Sequence, residues 1–226
     1  MFVRDCMTPD PRTVEPDATL EEAVGLMRTL KVRHLPVVDG RRLVGIVTWT
    51  DLVGAFPTPG KGRRAANGSA LLHNAQVKDV MTKDPLTVSP DAPVETAART
   101  LRERKIGSLP VVERQMLVGI VTESDLFDTL THLLGGDIRG VRMSVEFPNG
   151  LRDVGRFTDS LAGVTMNQGA VVVTVRIDEV SRRGYVRVAT SSPLALAEHL
   201  ATAGFEISNL RFDSSRKTSG THLDRG

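Results

Sequence analysis

Between Leu20 and Leu30, the residues Leu20, Ala23, Val24, Met27 and Leu30 recur at three- and four-residue steps. That spacing gathers them on one face of a helix. Thr19 stands just before it and can cap the first turn. Next come "HLPVVD" and "RLVGIVT", two strand-length apolar runs with polar residues between them, which predict a hairpin. Thr48 then opens a second helical stretch, and the short β-prone pair Thr13-Val14 precedes the first helix. The predicted unit is β-α-β-β-α.

The unit occurs twice. Val3–Leu52 aligns without a gap to Val77–Leu126, and about half of the positions are identical. The same reading gives Thr87-Val88, a helix that Asp91 can cap, then "SLPVVE", "MLVGIVT" and a helix after Thr122. About 50 residues bury too little surface to stand alone. Two copies are therefore expected to close one core about a pseudo-two-fold axis.

A third pattern follows Gly135-Gly136, a helix-stop signal. "GVRMSVEFP" alternates like a strand, and Leu151, Val154, Phe157 and Leu161 form a helical stripe. "AVVVTVRI" and "GYVRVAT" read as strands joined by the polar turn "DEVSRR". "PLALAEHLATAG" reads as a helix and "FEISNLRF" as a last strand. This β-α-β-β-α-β order is ferredoxin-like. The fold class is α/β (α+β). The expected domains are 1–56 and 77–136 for the repeats, 57–76 for a Gly/Pro/Ala-rich linker, 137–213 for the third region and 214–226 for a polar tail.

Charge adds exclusions. Twenty-nine basic and 27 acidic residues leave a net charge of +2, which makes no electrostatic case for nucleic acid. The basic cluster Lys61-Gly62-Arg63-Arg64 lies among glycines and reads as a solvated loop. Cys6 is the single cysteine, so it reads as a small core residue in a reducing compartment. No apolar run is long enough for a bilayer and the N-terminus lacks a signal-peptide pattern. A cytoplasmic protein without membrane contact is expected. Gly54, Gly60 and Lys61 come close to a phosphate loop, but five residues separate the glycines and Gly62 follows the lysine, so that reading is rejected. No catalytic motif is present, and His34 has no second His or Cys nearby to make a metal site. Neither an enzyme, a metal nor a required cofactor is expected.

The most informative chemistry is the doubled "GIVTWTDL" and "GIVTESDL". Thr-x-x-Asp is a capping box, in which each side chain satisfies a free N–H. The same carboxylate can also take two hydroxyl donors, and a helix N-terminus favours an anion. One polar edge is Thr48, Thr50 and Asp51. The other is Thr122, Ser124 and Asp125.

Leu-Pro-Val-Val followed by Gly-Ile-Val-Thr-x-x-Asp-Leu, present twice, resembles a pair of cystathionine β-synthase (CBS) domains, a Bateman module, over residues 3 to about 134. The C-terminal region resembles an ACT domain in its element order. The combination is similar to the AcuB-like acetoin-utilisation family. The resemblance implies a regulatory sensor of AMP, ADP, ATP or S-adenosylmethionine, with the ligand in clefts between the repeats. It implies that each Asp accepts the ribose hydroxyls. The adenine wall is then Val32, Arg33 and His34 in one copy and Ile106, Gly107 and Ser108 in the other. Met7, Thr8 and Arg12, and Met81, Thr82 and Leu86, flank these walls. It also implies a homodimer through the CBS helices, and Asn149-Gly150 as a place where ACT domains hold amino acids, against a plain turn.

The copies differ where the ligand would sit. Arg12, Arg33 and His34 align with Leu86, Gly107 and Ser108, and Trp49 aligns with Glu123. The two sites are therefore expected to bind unequally. Rival readings are an amino-acid sensor working through the third region, and a dimerisation scaffold without ligand.

Overall fold

The computed structural model describes residues 1–55, 75–136, 140–165, 171–177, 182–190 and 192–213. The linker expected at 57–76 (except its last two residues), the phosphate-loop near-miss at Gly60-Lys61 and the tail 214–226 lie outside them. The chain divides into two compact units, Met1–Thr129 and Leu130–Gly226.

The first unit has a mixed α/β fold consistent with a CBS pair. In it, β1 is Thr8–Pro9, α1 Leu20–Leu30, β2 His34–Asp39, β3 Arg42–Thr48 and α2 Trp49–Ala55. The second repeat supplies α3 (Val77–Val80), β4 (Thr82–Lys83), α4 (Val94–Arg104), β5 (Ser108–Glu113), β6 (Met116–Thr122) and α5 (Glu123–Leu133), the last running past the unit boundary. Thr19 caps α1 as expected, accepting from Glu22 N at 3.2 Å while Glu22 returns a bond to Thr19 N. Asp91 does not cap α4. The position equivalent to Thr19 is Pro93, which has no side-chain oxygen, and Asp91 instead pairs with Arg4. Thr13-Val14 and Thr87-Val88 contribute only single parallel bridges, Val14 to Val37 and Val88 to Val111. Leu20, Ala23 and Met27 are buried, whereas Leu30 at the end of α1 is exposed.

The repeats exchange their N-termini. β1 pairs with β6 (Thr8 opposite Ile120) and β4 with β3 (Thr82 opposite Ile46). Val3 is fully buried among Ala97, Leu101, Leu109, Val111 and Val121 of the second repeat. Val77 is fully buried among Leu20, Ala23, Met27, Leu35 and Leu52 of the first. Each inserted valine contributes about 1.5–3 kcal/mol of burial. Arg42 of β3 pairs antiparallel with Met116 of β6, its own equivalent. A pairing that maps onto itself when the repeats are interchanged places the pseudo-two-fold axis there.

The second unit contains β7 (Gly140–Glu146), α6 (Leu151–Thr165), β8 (Val171–Ile177), β9 (Arg182–Val188), α7 (Pro193–Thr202) and β10 (Ile207–Asp213). Its antiparallel sheet has the order β10-β7-β9-β8. Arg182 and Arg183, read from sequence as turn residues, open β9. Phe147, Phe157 and Phe205 meet edge-to-face in the core at centroid distances of 5.5 and 5.2 Å. Phe157 and Leu161 from the predicted stripe are buried, but Leu151 in the first turn is 80% exposed.

Candidate functional site

In each repeat the hairpin delivers its last threonine directly to the start of a helix. Thr48 N donates to Asp51 Oδ2 at 2.9 Å and Thr48 Oγ1 donates to the same oxygen at 2.7 Å. Asp51 N donates back to Thr48 Oγ1 at 3.2 Å. Thr122 and Asp125 reproduce this at 2.8, 2.7 and 3.3 Å. The capping reading is therefore satisfied in both copies. It uses one oxygen of each carboxylate. Among the described residues, Oδ1 of Asp51 and of Asp125 accepts no hydrogen bond, so each half-buried aspartate keeps an acceptor beside free helix N–H groups. Thr50 and Ser124 lie exposed in the same first turns.

The strand that leads into each hairpin meets its helix start. His34 pairs across the sheet with Thr48 and Ser108 with Thr122. Arg33 O accepts from Trp49 N at 2.8 Å, and Gly107 O from Glu123 N at 3.2 Å. Ser108 is buried, Arg33 is exposed, and Val32 and Ile106 close the preceding helices through bonds to Met27 O and Leu101 O. The Trp49 ring is covered on one side by Arg28, whose guanidinium carbon lies 5.6 Å from the centroid. Trp49 is thus tied into its own repeat.

The N-terminal exchange carries the flanking residues across. A Cβ built on Gly45 would stand 2.5 Å from Met81 Sδ, and one on Gly119 would stand 2.6 Å from Met7 Sδ. Met81 and Thr82 therefore lie on the hairpin that leads to Asp51, and Met7 and Thr8 on the one that leads to Asp125. Burial raises the pKa of the Cys6 thiol, a hydrogen bond with Thr129 opposes this, and the Asp125 and Asp5 charges add to it. Arg12 and Leu86 are exposed.

The repeats also touch at the wall segments. A Cβ on Gly107 would lie 3.0 Å from His34 Nε2 and 3.2 Å from Cε1, so the imidazole packs tightly over Gly107 and would have to give way to any side chain there. Burial pushes His34 below its ordinary pKa. Glu123 opposes this, Arg33 adds to it and Asp51 opposes it. The charge of one carboxylate from each repeat thus acts on His34. The Gly107 contact and the roles of Gly45 and Gly119 had no local signal in the sequence beyond small residues at aligned or substituted positions. No group of three or more His, Cys, Asp or Glu able to hold a metal occurs among the described residues. No described helix is long and apolar enough to cross a membrane.

The family model of the CBS domain matches residues 3–58 and 77–132. A CBS domain-containing protein of Dictyostelium discoideum is 32% identical over 136 residues, covering 59% of this chain and 94% of that protein. The chain belongs to the CBS-domain proteins. YhcV of Bacillus subtilis, another CBS domain-containing protein, is 33% identical over 124 residues and 81% of its length is covered. An inosine-5'-monophosphate dehydrogenase of Korarchaeum cryptofilum is 43% identical over 124 residues, but this chain spans only 23% of its length. Among solved structures, a Vibrio cholerae protein named for acetoin utilization (AcuB) is 36% identical with a TM-score of 0.51, over 60% of this chain and 93% of that one. CBSX2 of Arabidopsis thaliana, solved in complex with AMP, is 32% identical with a TM-score of 0.50, over 58% of this chain and 97% of that one. CBS-pair proteins of this kind are regulatory modules.

Proposed function

We propose that the CBS pair is a regulatory sensor for an adenosine-containing ligand, with AMP, ADP, ATP and S-adenosylmethionine as the class and AMP as the first candidate. The observation that carries this reading is the second oxygen of Asp51 and Asp125. Each stands at a helix N-terminus with its partner oxygen locked by the cap, ready to take ribose hydroxyls while the free N–H groups of Thr50 or Ser124 face a phosphate. The AMP complex of CBSX2 supports the choice. Arg33 and His34 supply donors at one wall, and Met7, Thr8, Met81 and Thr82 close the flanks. Glu123 makes its side the less hospitable to phosphate, so the two sites bind unequally.

The second unit, with β-α-β-β-α-β order, is proposed as an ACT-type domain that relays ligand binding or binds a ligand of its own. In that unit Glu146, Pro148, Asn149, Asp153, Arg156, Arg182 and Gly204–Glu206 line a cavity of about 710 Å³, and Gly150 beside it takes a positive φ of 63°. Carboxylates and guanidiniums in one cavity suit a zwitterion, which supports amino-acid sensing as the second reading. A homodimer through the CBS helices completes the proposal.

Thermal shift with AMP, ATP, S-adenosylmethionine and an amino-acid panel tests both readings. A ligand at about one hundred times its Kd stabilises the folded state by roughly 2.7 kcal/mol. Response to amino acids alone would replace the first reading with the second, and silence across the panel would leave the scaffold.

A further inference from the structure

His34 has its backbone in the first repeat and its ring against the second. Across the sheet it pairs with Thr48, which stands just before α2. The imidazole instead packs over Gly107, where a Cβ would lie 3.0 Å from Nε2 and 3.2 Å from Cε1. Gly107 O accepts from Glu123 N at 3.2 Å, which fastens this wall segment to the first turn of α5. Burial depresses the His34 pKa, and the strongest charge acting on the ring is that of Glu123, ahead of Arg33 and Asp51 from its own repeat. Contact and charge therefore agree that the ring stands at the wall of the second repeat.

The two copies are unequal in this respect. The second repeat carries Ser108 at the position of His34, and the first carries Arg33 at the position of Gly107. The buried hydroxymethyl of Ser108 is too short to cover a wall as an imidazole does. Glycine leaves bare backbone that a ligand can approach closely, and the imidazole lies over that surface. His34 is only half-buried, which leaves its ring a way out to solvent.

We infer that the His34 ring is a displaceable plug over Gly107, and that the cleft at Gly107 and Glu123 admits an adenosine ligand only once the ring has left. This rests on the adenosine-ligand reading and adds to it the residue that ranks the two sites. Glu123 repels phosphate alone, whereas a plug excludes the nucleoside as well. Shifting a packed side chain costs about tenfold or more in Kd. The plugged site is therefore the weaker one for adenosine and AMP alike.

Isothermal titration of the full chain with AMP and with adenosine tests the inference. The parent should show one strong event and one at least about tenfold weaker. His34→Ser installs the residue that the fold already accepts at position 108, and should strengthen the weak event about tenfold for both ligands. His34→Phe keeps a ring in the space and should leave the gap as in the parent. Melting checks that both variants fold. In the parent itself, the assigned His34 Cε1–H proton resonance should move with the weak event and not with the strong one. Two equal events in the parent would overturn the inference while the sensor reading stands. So would a His34→Ser chain whose weak event is no stronger for either ligand, a His34→Phe chain that behaves like His34→Ser, or a His34 resonance that moves with the strong event. Failure of the parent and both variants to bind either ligand would remove the sensor reading, and the inference with it.

Discussion

Replacing Asp51 by Asn or by Ala separates the two roles of its carboxylate. Oδ2 carries the cap, taking Thr48 N at 2.9 Å and Thr48 Oγ1 at 2.7 Å. An asparagine places its amide oxygen there and keeps both bonds, but turns an NH2 group toward the ligand where Oδ1 stood. Alanine loses everything. Loss of the cap costs about 1 kcal/mol, or roughly 2–4 °C in a chain of this size. Loss of a charged acceptor for hydroxyl donors costs about 1.5–3 kcal/mol, which is roughly ten- to a hundredfold in Kd. Asp51→Asn should therefore melt close to the parent and bind AMP weakly at one site. Asp51→Ala should lose both stability and binding. The same holds for Asp125, whose cap has the same geometry. Isothermal titration with AMP and melting without ligand read the two effects independently. If the double variant Asp51→Asn/Asp125→Asn binds AMP as tightly as the parent, the free oxygens do not hold the ribose and the aspartates only cap.

Gly107→Leu should drive the His34 ring from its seat, because even a Cβ would meet Nε2 at 3.0 Å. A loss of about 1–3 kcal/mol in urea unfolding is expected, and stability equal to the parent's would contradict the packing. Burial lowers the folded pKa of His34, so the unfolded chain binds the proton more tightly. The resulting stability is fully present above the unfolded value near 6.5 and declines as pH falls through the lower folded value. His34→Gln should flatten the melting profile below pH 6.5, and an unchanged slope would refute the assignment. Val3→Ala should cost about 2 kcal/mol through the second repeat's core, a measurement by urea unfolding that would read near zero if the N-terminus were peripheral.

The most legible parts of this protein in sequence were those whose partners lie within one turn. Thr19 with Glu22, Thr48 with Asp51 and Thr122 with Asp125 are three-residue contacts, and local spacing encodes them before any tertiary structure forms. The hairpins β2–β3 and β5–β6 were equally plain, because alternation and a short polar turn define both strands together. The cap of α4 was misread at the same range, because Asp91 pairs with Arg4 and Pro93, which stands where the first copy has Thr19, has no side-chain oxygen.

Contacts carried by register between distant strands were decided only by the tertiary structure. Nothing local says that Thr8 pairs with Ile120 rather than with its own repeat, because two nearly identical hairpins offer the same edge. The exchange sends Met7 to the Asp125 side and Met81 to the Asp51 side. In the same way, Arg142, Arg187 and Arg211 are scattered over 70 residues of sequence and meet only because the sheet order β10-β7-β9 sets them side by side. His34 over Gly107 follows from the axis through Arg42 and Met116. Spacing along a chain fixes what one element can do alone. Which elements face each other depends on closing a shared core, and that free energy belongs to the whole unit.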